Sequence, residues 1–370
     1  MSTIKVDTVR NYDSAVDFPQ GFKLGGADVI QNYTESADMP ETPTPVNGDY
    51  WWDTANEVLY RYMDGGFRAL GVAAGGSWFG ARALFFSGYT TAASANVNTI
   101  QYVAPATTGN AQDFGDVTVA RSDGAACSNG TRAIFGGGYA SALSNVIDYV
   151  TTATTGNAQD FGDMLETGSG HAALSDGTKG VFAGGYMSTT SNAIVNTIQF
   201  VTIDTAGNMA DFGDLLATQR RMAGTSDATR GLFAGGQGPS NVIQYITVAT
   251  PGNAIDFGDL TVSTQKCSGA SDTTRSLFMG GEAPSRSNVI SYVTTQTAGN
   301  ATDFGDLTQQ VESGSSTNDD IYAVRGGGGT SSGRTNVIDR VTIQTAGNAA
   351  DFGDLLAGNQ GLRASSGAAS

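Results

Sequence analysis

The tetrapeptide DFGD occurs six times in this 370-residue chain, starting at Asp113, Asp160, Asp211, Asp256, Asp303 and Asp351, with successive spacings of 47, 51, 45, 47 and 48 residues. A period of this size marks an architecture of repeated supersecondary units, each too small to bury its own apolar face. Asp-Phe-Gly also presents a magnesium-binding aspartate in protein kinases. A kinase uses it once, beside a VAIK lysine and an HRD catalytic loop, and neither accompanies it here. The repeat therefore excludes phosphoryl transfer and points to a modular scaffold.

Within the unit, some distances are constant and one is not. An asparagine (Asn98, Asn145, Asn196, Asn241, Asn288, Asn336) precedes each DFGD by 15 residues. From DFGD to the phenylalanine of the next FxGG (Phe135, Phe182, Phe233, Phe278) the distance is 22, and it is 21 to Val324, its replacement in the last copy. From that phenylalanine (Phe85 in the first copy) to the next asparagine the distance runs 13, 10, 14, 8, 10 and 12. Constant spacing predicts framework, and the variable segment predicts a surface loop.

Four strand-like runs fit in each unit. In the second they are TRAIFGG (131–137), NVIDYVTT (145–152), AQDFGDML (158–165) after a Gly156-Asn157 turn, and the small-residue run SGHAALS (169–175); DGTK then leads into the next unit. No window has helical periodicity. Burying a phenylalanine contributes about 1.5–3 kcal/mol, whereas ordering each residue's backbone costs about 1–2 kcal/mol, so a lone unit cannot stand. Stacked units can, with the FxGG phenylalanine, the Val-Ile pair of NVI and the DFGD phenylalanine filling the spaces between sheets. Four strands per roughly 48 residues, with Gly-Gly ending the first, predict an all-β, six-bladed Kelch-like β-propeller over residues 80–370, with an open solenoid as the alternative. The repeats begin at strand one and end in strand four, so residues 72–78 are the expected source of a closing strand.

Ahead of the repeats, residues 1–46 read as extended pieces with a corner at Pro19 and Gly21. Residues 47–79 read as a small aromatic-rich β module with strands around Trp51-Trp52, Leu59-Tyr60 and Phe67 and turns at Ala55-Asn56 and Gly65-Gly66. So many aromatics on so small a module require a partner or symmetric copies to cover them.

The STIKVDTV start, the GDYWWDT…LYRYMDGGFRALG module and the repeated NVIDYVT…GNAxDFGD…FGGG resemble virion structural proteins of tailed phages, especially phages of marine and cyanobacterial hosts. The repeat resemblance covers nearly everything after Gly80. The resemblance implies an N-terminal virion-attachment segment like those of tail fibres, which are generally homotrimers, and a location in the virion. The first copy departs with FFSG (85–88), and the last with VRGG (324–327) and Arg340 in place of the aromatic.

Charge narrows the partners. With 19 Lys and Arg against 35 Asp and Glu, the formal net charge is −16, which argues against nucleic acid and anionic membranes, both of which require basic patches. The 51 glycines and 8 prolines suit many tight turns. No secretory signal or membrane-length apolar run is present, and Cys127 and Cys267 sit at non-equivalent offsets of 14 and 11 from their DFGD. The expectation is a chain made in the host cytoplasm, without a disulfide and without membrane insertion.

Candidate chemistry is sparse. Two DFGD aspartates three residues apart on a strand point to opposite faces, so turn hydrogen bonds are expected of them ahead of calcium. GGTSSGRT (328–335) mimics a phosphate loop, but it falls in the variable loop before a strand rather than a helix, with Arg334 where lysine is needed. His171, the one histidine, aligns with Met222 and Cys267 and has no recurring nucleophile or carboxylate around it. A glycan hydrolase would need a distinguished pair of carboxylates, and the repeated aspartates single out none. The expectation is a protein with no enzymatic activity, cofactor or metal.

The variable segments remain: 89–97, 138–144, 186–195, 237–240, 282–287 and 328–335. Equivalent loops of stacked units emerge on one face, so these are expected to form a ligand-binding surface carrying Tyr89, Tyr139, Tyr186, Gln237, Glu282, Arg286 and Arg334. The expected partner is a host-surface glycan or protein, bound by a tail fibre or tip protein. The alternative is a capsid or tail decoration protein whose repeats pack against other virion proteins.

Overall fold

The computed structural model describes residues 80–188 and 193–367, and in the front part the strands Lys23–Leu24, Ala27–Asp28, Tyr33–Ser36, Tyr50–Asp53, Val58–Met63 and Gly66–Val72. The chain divides into two compact units, Met1–Gly76 and Ser77–Ser370. In the first, Tyr33–Ser36, Tyr50–Asp53, Val58–Met63 and Gly66–Val72 form one sheet in that order, the first pair parallel and the others antiparallel. Trp51 stands opposite Tyr60 and Trp52 opposite Leu59. The expected corner at Pro19 and Gly21 and the expected turn at Ala55-Asn56 lie outside the described residues.

The second unit is built of strands, with no helix among the described residues. Its framework is six four-stranded antiparallel arrays. From inner to outer strand, the first is Arg363–Gly367, Arg82–Phe86, Thr99–Val103 and Gln112–Asp116. The second is Ala125–Ser128, Arg132–Gly136, Ser144–Thr151 and Gln159–Ser169, and the other four follow the same plan.

The phase of the unit differs from the one expected. The small-residue run is the first strand of the next sheet rather than the last of its own: Ala172–Ser175 pairs with Lys179–Ala183 through a tight hairpin. The cause is local. Asp176 Oδ1 accepts the backbone N–H of Thr178 and Lys179 at 2.8 and 2.6 Å, and Asn129, Asp227, Asp272 and Asp319 repeat this turn. The last small-residue run, Arg363–Gly367, pairs with Arg82–Phe86 and completes the first sheet. The closing strand therefore comes from the far end of the chain and not from 72–78. Gly66–Val72 belongs to the sheet of the other unit, and 73–78 lie outside the described residues.

The inner strands neighbour one another in cyclic order, Ala125–Ser128, Ala172–Ser175, Ala223–Ser226, Ser268–Ser271 and Ser315–Asn318, and Arg363–Gly367 touches both ends of this series. Between sheets lie separate apolar clusters. The FxGG phenylalanines, the DFGD phenylalanines and the isoleucine of NVI are buried in every sheet that has them. The valine of NVI is only half-buried, because side chains alternate along a strand.

In the sixth sheet, Arg325 and not Val324 holds the phenylalanine position, since Arg325 lies opposite Asp339 as Phe135 lies opposite Asp148. Its distance from DFGD is then 22, as in the other copies. The second sheet carries a buried arginine at a different place: Arg121 lies 4.5 Å above the Phe135 ring and 2.9 Å from Asp148. Where the sixth sheet puts Arg325, Val311 fills the place of Arg121 and Asp339 that of Asp148. Burial lowers the pKa of both arginines, Arg325 to about 10, and the aspartate opposes the shift in each case.

DFGD and its neighbour's GN turn form a clasp between sheets. Asn157 Oδ1 accepts the N–H of Asp116 at 3.0 Å, and Asn208, Asn253, Asn300, Asn348 and Asn110 do the same for Asp163, Asp214, Asp259, Asp306 and Asp354 at 3.0–3.1 Å. The last of these joins the sixth sheet to the first. The DFGD glycine has φ between +145° and +151° in all six copies. A Cβ there would lie 2.3–2.5 Å from the carbonyl oxygen of the neighbouring GN glycine. A β-bulge at each DFGD, as between Ile147 and Asp148 in register, turns the backbone toward that neighbour. DFGD thus contributes its backbone to the clasp and not its carboxylates.

Candidate functional site: the loop face

Ten residues after each DFGD begins, the backbone turns left-handed, at Asp123, Gly170, Arg221, Lys266, Ser313 and Gly361, with φ between +53° and +73°. Each N–H donates to the carbonyl of its counterpart in the adjoining unit: Gly170 to Asp123, Arg221 to Gly170, Lys266 to Arg221, Ser313 to Lys266, Gly361 to Ser313 and Asp123 to Gly361, at 2.7–3.0 Å. Six hydrogen bonds thus run in a circle. Below them a cavity of about 130 Å³ lies among the inner strands. Those strands must be small-residued, since a Cβ on Gly224 would lie 2.3 Å from the Ala173 carbonyl.

All six variable loops start beside this circle. Ser122 pairs with Tyr139, Ser169 with Tyr186, Gln265 with Glu282, Glu312 with Gly329 and Gln360 with Tyr89, while the Gln237 N–H donates to the Arg220 carbonyl at 3.0 Å. The phosphate-loop mimic at 328–335 contains a short hairpin of Gly329–Thr330 with Gly333–Arg334.

The residues singled out from the sequence have the following surroundings. The Arg334 guanidinium lies 4.3 Å above the Tyr89 ring, and the Tyr89 hydroxyl donates to the Ser94 carbonyl at 2.6 Å. Tyr139 is 49% exposed, and its carbonyl accepts from Asn96 at 2.8 Å, which ties two loops together. Arg220 lies 5.2 Å from the Tyr186 ring and donates through Nε to Gln237. Glu282 pairs with Lys266 at 2.9 Å, Arg286 pairs with Glu312 at 3.2 Å, and Lys266 also reaches Glu312. The hydrogen bond from Lys266, followed by the nearby cations, holds the Glu282 carboxyl below its usual range against the opposing pull of burial.

Sequence reasoning passed over the circle itself and the arginines beside it, Arg220, Arg221 and Arg363. The circle's signal was available as a constant offset of ten from DFGD, which Arg221 shares and Arg220 and Arg363 do not, but no shared residue type marks it. The circle and loop segments carry Arg220, Arg221, Lys266, Arg286 and Arg334 against Asp123, Glu282 and Glu312, a local excess of cations in a chain of net charge −16.

The buried titratable groups beneath this face are chemically quiet. His171 is buried, its Nδ1 lies 2.6 Å from the Gly184 carbonyl, and burial depresses its pKa to about 4. Cys127 and Cys267 are free and buried, and burial raises both thiols, Cys267 to about 11, the opposite of a reactive thiolate. Among the described residues, no group of three or more His, Cys, Asp or Glu is placed to hold a metal. The face offers aromatic rings, hydroxyls and guanidinium groups, which suit binding.

No protein-family model matches this chain, and no curated protein is detectably related to it.

Proposed function

We propose that this chain is a non-enzymatic virion protein of a tailed phage, a tail fibre or tip protein. In this reading residues 80–370 are a six-bladed Kelch-like β-propeller whose loop face binds a host-surface glycan or protein. The front segment attaches the protein, as a homotrimer, to other virion proteins. The supporting observation is the division of labour between framework and loops: the clasps repeat atom for atom, while six loops of unlike length and sequence gather around one circle of hydrogen bonds. Repeats under selection for recognition keep the first and diversify the second. Particles carrying loops exchanged with those of a related fibre should change host range in an adsorption assay. Unchanged adsorption refutes the reading.

A second reading, a decoration protein packed against virion neighbours, draws on a different observation. Val119, Leu165, Leu216, Val262 and Leu356 are 43–53% exposed at positions five or six residues after DFGD begins, and aliphatic side chains repeated around a surface suit a protein contact. Imaging of the intact particle separates the two, since a neighbour covering the loops favours decoration.

A further inference from the structure

We propose that the loop face holds an anion-binding subsite, made by Arg220, Arg221 and Arg363 around Gly170 and flanked by Tyr139 and Tyr186, that takes a carboxylate or sulfate group of a polysaccharide. This deepens the receptor-binding reading and rests on it.

Three observations converge on this place. The first is unbalanced charge. Arg221 is near enough to Arg220 and Arg363 to oppose the charge of both, and Asp123, 3.4 Å from Arg363, is the carboxylate in an ion pair there. Arg363 spends its other donors on the Gly124 and Leu362 carbonyls at 2.7 Å, and Arg220 donates to Gln237. The half-buried Arg221 guanidinium has no hydrogen bond or ion pair among the described residues. Like charges gathered in a chain of net charge −16 oppose one another unless an anion joins them.

The second is backbone strain at Arg221. Its φ of +60° is left-handed, as it is at Asp123, Lys266 and Ser313, where the same circle uses glycine at 170 and 361. A residue with a side chain costs about 1–2 kcal/mol in that conformation, so glycine would be the better choice for the circle alone. Retaining arginine there suits a role for its side chain.

The third is the convergence of two arginine stems between aromatic flanks. A Cβ on Gly170 would lie 3.7 Å from Arg220 Cβ and from Arg221 Cγ, so the stems of both arginines pack over the Gly170 backbone and bring their side chains together. Tyr139 and Tyr186 begin the loops that pair with Ser122 and Ser169, the residues just before Asp123 and Gly170. An aromatic face beside guanidinium donors is the pairing that a sugar ring bearing an anionic group requires.

The test is direct binding of the full chain to polygalacturonate, dextran sulfate and neutral dextran at 0.05 and 0.15 M salt. At least one anionic polymer should bind, more weakly at the higher salt, and neutral dextran should not; the tighter of the two identifies the anion. Arg221→Ala should weaken binding about tenfold or more, and Arg221→Lys should restore most of it, with both variants melting like the parent. The proposal is overturned if Arg221→Ala binds as the parent does, if neutral dextran binds equally, or if neither anionic polymer binds. In loop-exchanged particles, altered host range alongside normal adsorption of Arg221→Ala particles removes this subsite and leaves the receptor face standing, whereas unchanged host range removes the receptor face itself.

Discussion

The outer clasp and the circle at the loop face both join neighbouring sheets, and they treat side chains in opposite ways. At the clasp, the bond from the second DFGD aspartate's N–H to the GN asparagine recurs six times with the same residue types. The glycine beside it has no room for a Cβ. At the circle, backbone bonds to backbone throughout, and the residues are Asp123, Gly170, Arg221, Lys266, Ser313 and Gly361. When the main chain carries closure unaided, the side chains are released for other uses, and this is where the variable loops meet. Contact geometry thus decides where a repeat protein is able to diversify.

The sixth unit shows that the framework itself tolerates change when the pair changes together. In four sheets an arginine in the FxGG strand lies 4.4–4.9 Å from the tyrosine of the next strand. In the sixth sheet the two are exchanged, and Arg340 lies 4.6 Å from Tyr322. Arg340 still donates to a carbonyl of the neighbouring sheet, that of Pro105, at 3.0 Å.

The difference between clasp and circle is open to experiment. Ending the chain before Arg363 removes the strand that pairs with Arg82–Phe86; the cooperative melt of the repeat unit should be lost, as followed by circular dichroism. Gly258→Ala puts a Cβ 2.4 Å from the Gly299 carbonyl and should destabilise by about 3 kcal/mol in urea titration. Ser313→Gly at the circle should have the opposite sign and stabilise by about 0.5–1 kcal/mol, because it relieves a left-handed residue with a side chain. Equal effects at the two places would erase the contrast.

Acid should act from beneath the loop face. His171 keeps a folded pKa of about 4 against 6.5 for the free side chain, so below pH 6.5 the unfolded chain takes up a proton that the folded chain refuses. Its contribution is complete above pH 6.5 and is lost as the pH falls toward 4, by up to about 3 kcal/mol. His171→Met should remove this component, measured as the difference between the two urea-stability curves against pH. A modest effect is expected at the exchanged pair: Tyr322→Arg and Arg340→Tyr should each cost about 1 kcal/mol, and the double variant should recover most of it.

The period, the strand positions and the buried phenylalanines and isoleucines were readable because each depends on residues close in sequence. Other features were not. The unit phase turns on Asp176, whose side chain makes a hairpin within a sheet where the sequence predicts a link between units. Arg325 was passed over for Val324 because an arginine is not expected at a core position, and only its placement opposite Asp339 shows that it belongs there. The sequence predicts turn hydrogen bonds from the DFGD aspartates ahead of calcium, whereas the tetrapeptide contributes its glycine and main chain to the clasp. The offset of ten that marks the circle was present, yet six dissimilar residues share no chemical signal.

The amino-acid sequence alone determined how many units there are, where their strands lie and which segments vary, because hairpins and apolar faces are satisfied by near neighbours. The tertiary structure decided that Arg363–Gly367 completes the first sheet and that Asp123 and Gly361 close the circle. An unpaired strand edge will accept any strand of suitable length, so only the arrangement of all six sheets in space selects which one it receives.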